Sequence, residues 1–201
     1  MDKETGRIEA FSDGVFAVAI TLLALDLHVP RLNELAPGVR LGGALLGEWP
    51  AFLAYVTSFL TILVMWVNHH RLFELIRRSD HWFLIVNGLL LMGVTVIPFS
   101  TSLLAEYIGH RDASVAAAVF SGGYLLIALG YNLLWRYALR VGLLKPDAPP
   151  RAVETITGQY RFGPLYYLTA FILAFISVPA SVGLALGLAV FFALPSVPGK
   201  K

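Results

Sequence analysis

A succession of apolar runs, each about as long as a bilayer is thick, leaves this chain few folds to choose from. A helix that crosses the hydrocarbon core needs roughly 20 mostly apolar residues. Four runs meet that length: Ile8–Leu27, Trp49–Val67, Trp82–Leu104 and Ala113–Trp135. A fifth, Phe162 to Val197, is too long for one crossing, and Pro179 and Ser181 interrupt it. It reads as two short crossings, Gly163–Val178 and Ser181–Leu194, joined by a tight turn. Only 14% of the residues are charged and 57% are hydrophobic, too apolar a balance for a water-soluble domain. In lipid every backbone polar group must be paired internally, so helices are the default. The expected fold is all-α: a single polytopic domain over residues 1–201 with six transmembrane helices. No span closely repeats another, so internal symmetry would have to come from assembling several chains.

The cations set the orientation. Lys3, Arg7, Arg71, Arg77, Arg78, Arg136, Arg140, Lys145, Arg151, Arg161, Lys200 and Lys201 fall on one side of a six-span chain. Arg31, Arg40 and Arg111 fall on the other. Cytoplasmic loops carry the excess of Lys and Arg, so both termini are expected in the cytoplasm. Five spans would put Lys200 and Lys201 outside and weaken this asymmetry. Trp49, Trp66, Trp82 and Trp135 fall at expected span ends, as an aromatic belt requires. Pro146, Pro149 and Pro150 mark the stretch from Tyr137 to Arg161 as the longest polar loop. The first run has almost no basic region before it and contains Asp13 and Asp26, so it reads as a retained span and not a cleaved leader. The cations lie in gaps between apolar runs and form no nucleic-acid patch. With no cysteine, disulfide, thiolate and zinc–thiolate chemistry is excluded.

The first span carries the unusual residues. A carboxylate at mid-bilayer costs at least ~2.5 kcal/mol and normally faces protein or water. Glu9 and Asp26 lie near the span ends, within reach of the interface, whereas Asp13 lies deeper and precedes Gly14, which permits close helix approach. Asp13 reads as a hydrogen-bond hub, an ion ligand or a proton relay. At 3.6 residues per turn Phe11, Val18, Leu22 and Leu25 share one side, bordered by Thr21. Asp13, Ala17, Ile20 and Ala24 share another. On periodicity alone, the first stripe is lipid-facing or core. His69 and His70 follow Asn68 at the end of the second span. Adjacent helical histidines diverge by about 100°, which disfavours a shared metal. Interface hydrogen bonding, a pH-sensitive network and metal binding are the readings for this pair. Asn87 and Pro98 inside the third span read as a helix–helix hydrogen bond and a kink. Gly183 and Gly187 form a small-residue face on the last span. There is no TVGYG filter loop, Walker A, HExxH or GxSxG motif, and nothing in the spacing requires an enzyme.

The segment from Arg7 through Phe11, Ser12, Asp13 and Gly14 resembles the RxxxFSD signature that opens the transmembrane protein 175 family. These are the lysosomal potassium channels of animals and their prokaryotic relatives. The run Trp66–Val67–Asn68–His69–His70–Arg71 is also similar. The resemblance implies a potassium-selective leak channel without a P-loop filter, in the cell membrane of a prokaryote. It implies a pore walled by the first helices, with an apolar constriction at Val18, Leu22 and Leu25 and a polar layer at Thr21. Val18 stands where relatives often have Ile or Leu, which would widen that layer. Since animal members carry two six-span repeats and pair as dimers, one repeat implies a homotetramer. Arg7, Ser12, Asp13 and either His69 or His70 would tie the pore helix to its neighbours. Potassium is then the permeant ion; no cofactor or tightly bound metal is expected, and the partners are the bilayer, monovalent cations and other copies of the chain. The residues themselves also allow a small proton-coupled transporter relaying through Asp13, or a membrane enzyme or lipid-binding protein.

Overall fold

The structure, a computed structural model, describes residues 3–25, 27, 30, 38 and 40–193, with side chains from residue 5 onward. The readings placed on Asp26, Arg31, Leu194, Lys200, Lys201 and the side chain of Lys3 lie outside the described residues. The chain is all-α: α1 (Lys3–Leu25), α2 (Leu41–Gly47), α3 (Trp49–Glu74), α4 (His81–Thr95), α5 (Ile97–Tyr107), α6 (Ala113–Val141), α7 (Pro150–Leu173) and α8 (Val178–Ala193). The described residues contain no strand, only an isolated bridge between Ile76 and Leu144. There the Arg77 amide donates to Leu143 O at 2.9 Å and the Lys145 amide to Leu75 O at 2.8 Å, clipping the end of α3 to the end of α6.

Four helical segments are long and apolar enough to cross a membrane: Thr5–Leu25, Trp49–Glu74, His81–Tyr107 and Ala113–Val141. The third is α4 and α5 together. It bends at Val96 because Pro98 has no amide to continue the α4 ladder. α8 is apolar but only 16 residues long. α7 has 24 residues, and its first half, Pro150 to Arg161, is polar.

Three expectations need correction. The polar stretch from Tyr137 to Arg161 is mostly helical, because α6 runs on to Val141 and α7 begins at Pro150. Gly142, at φ 70°, closes α6, and the prolines fall in the short connection and at the first position of α7, where no amide is needed. The break near the C-terminus lies between Leu173 and Val178, and Pro179 and Ser181 belong to α8. A proline in the first turn starts a helix without strain, and the buried Ser181 hydroxyl donates to Ala170 O at 2.8 Å, sewing α8 to α7. Two of the four tryptophans are not a belt. Trp49 and Trp82 do open helices and stand exposed. Trp66 and Trp135 sit inside longer helices and spend their indole N–H groups on other helices, on Asp13 at 2.8 Å and on Thr157 Oγ1 at 2.9 Å. Hydropathy falls where Asn68, His69 and Arg71 begin, but a helix continues wherever its backbone ladder does.

α6 is the axis of packing, lying against α4, α5, α7 and α8, while α1 lies against α3, α4 and α5. Tyr124, Phe120, Leu134 and Trp135 of α6 are fully buried. Glycines let α4 and α6 approach: a Cβ on Gly130 would stand 2.9 Å from Leu90 Cδ1, and one on Gly93 3.0 Å from Ile127 Cγ1. Side-chain hydrogen bonds between helices replace water, among them Tyr131 Oη to Met65 O at 2.6 Å and Ser58 with Thr101 at 2.6 Å.

Candidate pore helix and its polar anchor

The middle of α1 is fixed by a chain of polar side chains running across three helices. Ser12, His69 and Asn87 are all buried, from α1, α3 and α4 respectively. The Asn87 amide donates from Nδ2 to Ser12 Oγ at 3.1 Å. Its Oδ1 lies 2.9 Å from His69 Nε2. An amide oxygen only accepts, so this bond requires the His69 tautomer with the proton on Nε2. The His69 ring is wedged between Phe73, stacked at 4.4 Å, and the edge of Phe16 at 5.4 Å. Next to this chain, Asp13 accepts from the Trp66 indole. α1 is therefore latched to α4 through Ser12 and to α3 through Asp13, at adjacent residues whose side chains diverge by about 100°.

Among the sequence candidates, Ser12 and His69 meet through Asn87, and Asp13 stands beside them on Trp66. His70 does not join. It is exposed, packs over Trp66 at 6.2 Å and lies 3.6 Å from Glu74, one turn on. Arg7 is exposed on α1, and no ion pair joins it to Asp13 among the described residues. Asn87 is the central group, bonded to both Ser12 and His69, where its place in the span indicates only an interhelical bond. A lone amide inside an otherwise apolar span was its signal. Trp66 lies where the sequence expects a headgroup anchor, and nothing in the sequence marks Asp13 as its partner. Among the described residues no group of histidines and carboxylates is spaced to hold a metal ion.

Beyond the anchor, α1 is held only along one edge. Phe16, Ala19 and Leu23 are buried. The opposite surface is uncovered within the chain: Phe11 is 66% exposed, Val18 55%, Leu22 41% and Leu25 78%. Beside this bulky stripe Ala10, Gly14, Ala17, Thr21 and Ala24 are also exposed, and nothing lies within 4 Å of a Cβ placed on Gly14. The Thr21 hydroxyl donates to Val18 O at 2.9 Å. Its proton is thereby turned onto the helix, and the oxygen lone pairs stay available on the open side.

Sequence and structure comparisons agree on what this arrangement resembles. The profile of the family described as "Endosomal/lysosomal potassium channel TMEM175" matches residues 7–98, which hold every member of the polar anchor. A potassium channel of Chamaesiphon minutus is 56% identical over 194 residues, covering 96% of this chain and 95% of that one. A potassium channel of Streptomyces collinus is 43% identical over 199 residues, covering 97% and 94%. The crystal structure of a lysosomal potassium-selective channel TMEM175 homolog from Chamaesiphon minutus superposes with a TM-score of 0.86 at 55% identity, covering 94% of this chain and 96% of that one.

Proposed function

Because the chain belongs to the TMEM175 family, we propose that it is a potassium-selective leak channel whose pore is walled by α1 from each of four copies. Each copy contributes a single domain of six crossings, residues 1–201, with α7 and α8 as the two short ones and no P-loop. It is a multi-pass protein of a prokaryotic cell membrane with both termini in the cytoplasm. The observation that supports this reading is the uncovered surface of α1. A helix destined only for lipid has no use for small residues, whereas a helix that packs against another does. On α1 the small residues Ala10, Gly14, Ala17 and Thr21 flank the bulky stripe of Phe11, Val18, Leu22 and Leu25. Neighbouring α1 helices approach along the small flank and turn the bulky stripe toward a shared axis.

In that arrangement Val18, Leu22 and Leu25 form apolar rings with no oxygen to replace an ion's water. Conduction then depends on width and on partial dehydration. Potassium holds its water less tightly than sodium, so a narrow apolar ring favours potassium. Thr21, with its lone pairs free, offers a stop for a partly hydrated ion beside the ring. The anchor of Ser12, Asp13, Trp66, His69 and Asn87 sets the tilt of α1 and thereby the width of the ring. Planar-bilayer recordings test the reading through the reversal potential in mixed potassium and sodium. Leu22→Ala and Val18→Ala widen the constriction and lower the potassium preference. An unaltered selectivity ratio in both well-folded variants would refute the apolar filter. Discrete single-channel steps separate a channel from a carrier. A cysteine at Ser114 labels from outside and one at Pro150 only after permeabilisation.

A further inference from the structure

The polar and apolar halves of α6 and α7 change over at the same level. In α6 the apolar run ends at Trp135 and Arg136 follows; in α7 the polar half ends at Arg161 and Phe162 opens the apolar half. Two bonds set this register: Trp135 Nε1 donates to Thr157 Oγ1 at 2.9 Å, and Asn132 Nδ2 donates to Tyr160 O. Arg136 and Arg161 consequently line one cavity of about 220 Å3 between the two helices, with Leu139 and Trp135 as its apolar wall. No Asp or Glu lines it, and neither guanidinium has a carboxylate within 4 Å among the described residues. The other polar side chains at the cavity are already engaged: Thr157 also donates to Val153 O at 2.6 Å, and the Tyr160 hydroxyl donates to Asn68 O at 3.3 Å. The two guanidiniums are the charged donors left to receive a ligand.

We propose that this cavity binds the phosphate group of an anionic phospholipid, gripped between Arg136 and Arg161. Two like charges lining one cavity repel each other until an anion sits between them. The guanidinium fork matches phosphate oxygens with two parallel bonds. Basic pockets between transmembrane helices at headgroup depth take anionic lipid heads. The surface continues toward the apolar half of α7 into the exposed side chains of Phe162 and Leu165, against which acyl chains lie. The Phe162 ring lies 5.5 Å beneath the Arg161 guanidinium and steadies it at the rim. The site stands apart from α1, because α7 packs on α6 and α8. No residue of α1 lines the cavity.

The test is lipid binding by the full chain in detergent, stripped of lipid and titrated with phosphatidylglycerol or with phosphatidylcholine of the same acyl chains. Bound lipid is counted by native mass spectrometry. The wild type favours phosphatidylglycerol, and Arg136→Gln with Arg161→Gln weakens its binding by roughly tenfold or more while leaving phosphatidylcholine unchanged. The control, Arg140→Gln with Arg151→Gln, removes the same charge outside the cavity and keeps the preference. Both variants alter exposed side chains, and a circular-dichroism melt verifies that each is folded. Full preference in the Arg136/Arg161 variant overturns the proposal, as does an equal loss in the control. A further arm adds millimolar inorganic phosphate. Failure to displace phosphatidylglycerol assigns the cavity to lipid, and full displacement with equal thermal stabilisation assigns the same phosphate site to a soluble anion.

Discussion

α1 and α6 have the same mean hydropathy over their best windows, yet 44% of the α6 window is buried within the chain and only 22% of the α1 window. α6 buries Ala117, Phe120, Tyr124, Ile127 and Trp135 and is surrounded by four other helices. α1 is fastened by one edge and by two polar contacts. Lipid solubility alone cannot distinguish a helix that organises a subunit from one that faces its surroundings. What distinguishes them is the kind of residue beside the bulky ones. α6 places Gly130 where α4 comes close, and α1 places small residues where this chain has nothing to offer.

A core truncation puts the largest load on this contrast. Phe120→Ala should cost about 3–5 kcal/mol of unfolding free energy, while Leu22→Ala should cost under half of that because Leu22 is 41% exposed and Phe120 fully buried. Denaturation in mixed micelles measures both, and equal losses would mean that α1 is packed like α6. Next comes the latch. Asn87→Leu leaves Ser12 and His69 unpartnered, at about 1–3 kcal/mol for each buried group. Hydrogen exchange should show faster opening in α1 while α6 stays protected; uniform loosening would remove the distinction.

Asp13→Asn is a milder change than a buried ion pair would suggest. The asparagine oxygen still accepts from Trp66, so only the charge-assisted part is lost, about 1 kcal/mol. Asp80 caps α4 and reaches α6. The Phe83 amide, and after it the Tyr137 hydroxyl at 2.7 Å, hold its carboxyl below the usual range. The stability this confers is complete above the ordinary carboxylate pKa of about 4 and is lost as pH falls through the lower folded value. Asp80→Ala should cost about 1 kcal/mol at neutral pH and flatten the acid limb of a melting-temperature profile. The smallest effect is expected for Gly183→Ala. Nothing lies within 4 Å of its Cβ position, so the isolated subunit should change by no more than about 0.5 kcal/mol. A larger loss in the assembled protein would show that α8, like α1, presents a face to a neighbour.

Much of this was legible in the sequence because lipid enforces simple rules. Four apolar runs became four long helical segments, and the proline at position 98 became the bend between α4 and α5. Asp13 is conspicuous as a carboxylate in an apolar helix and Ser12 as part of the motif around it, and the structure engages both. Helix ends were not legible. Hydropathy reports where side chains stop favouring lipid, whereas α3 and α6 continue through His69 and Arg136 on intact backbone bonds. The choice between His69 and His70 was equally hidden. Both sit on one helix, and only the position of Asn87, a residue 18 places away, selects the first.

The close seat of Gly130 against Leu90 has a consequence at a distance. Leu90 is one turn from Asn87 on α4. A methyl group on Gly130 would meet the end of the Leu90 side chain at 2.9 Å and its Cα at 3.4 Å, so Leu90 would have to turn aside, and a larger side chain would have to push α4 back. Any such retreat carries Asn87 away from Ser12 and releases the hold on α1. A residue that never touches the first helix thus acts as the fulcrum of a lever. Substitutions there would register as altered tilt of a helix two layers away, and a compensating smaller side chain at position 90 would restore it.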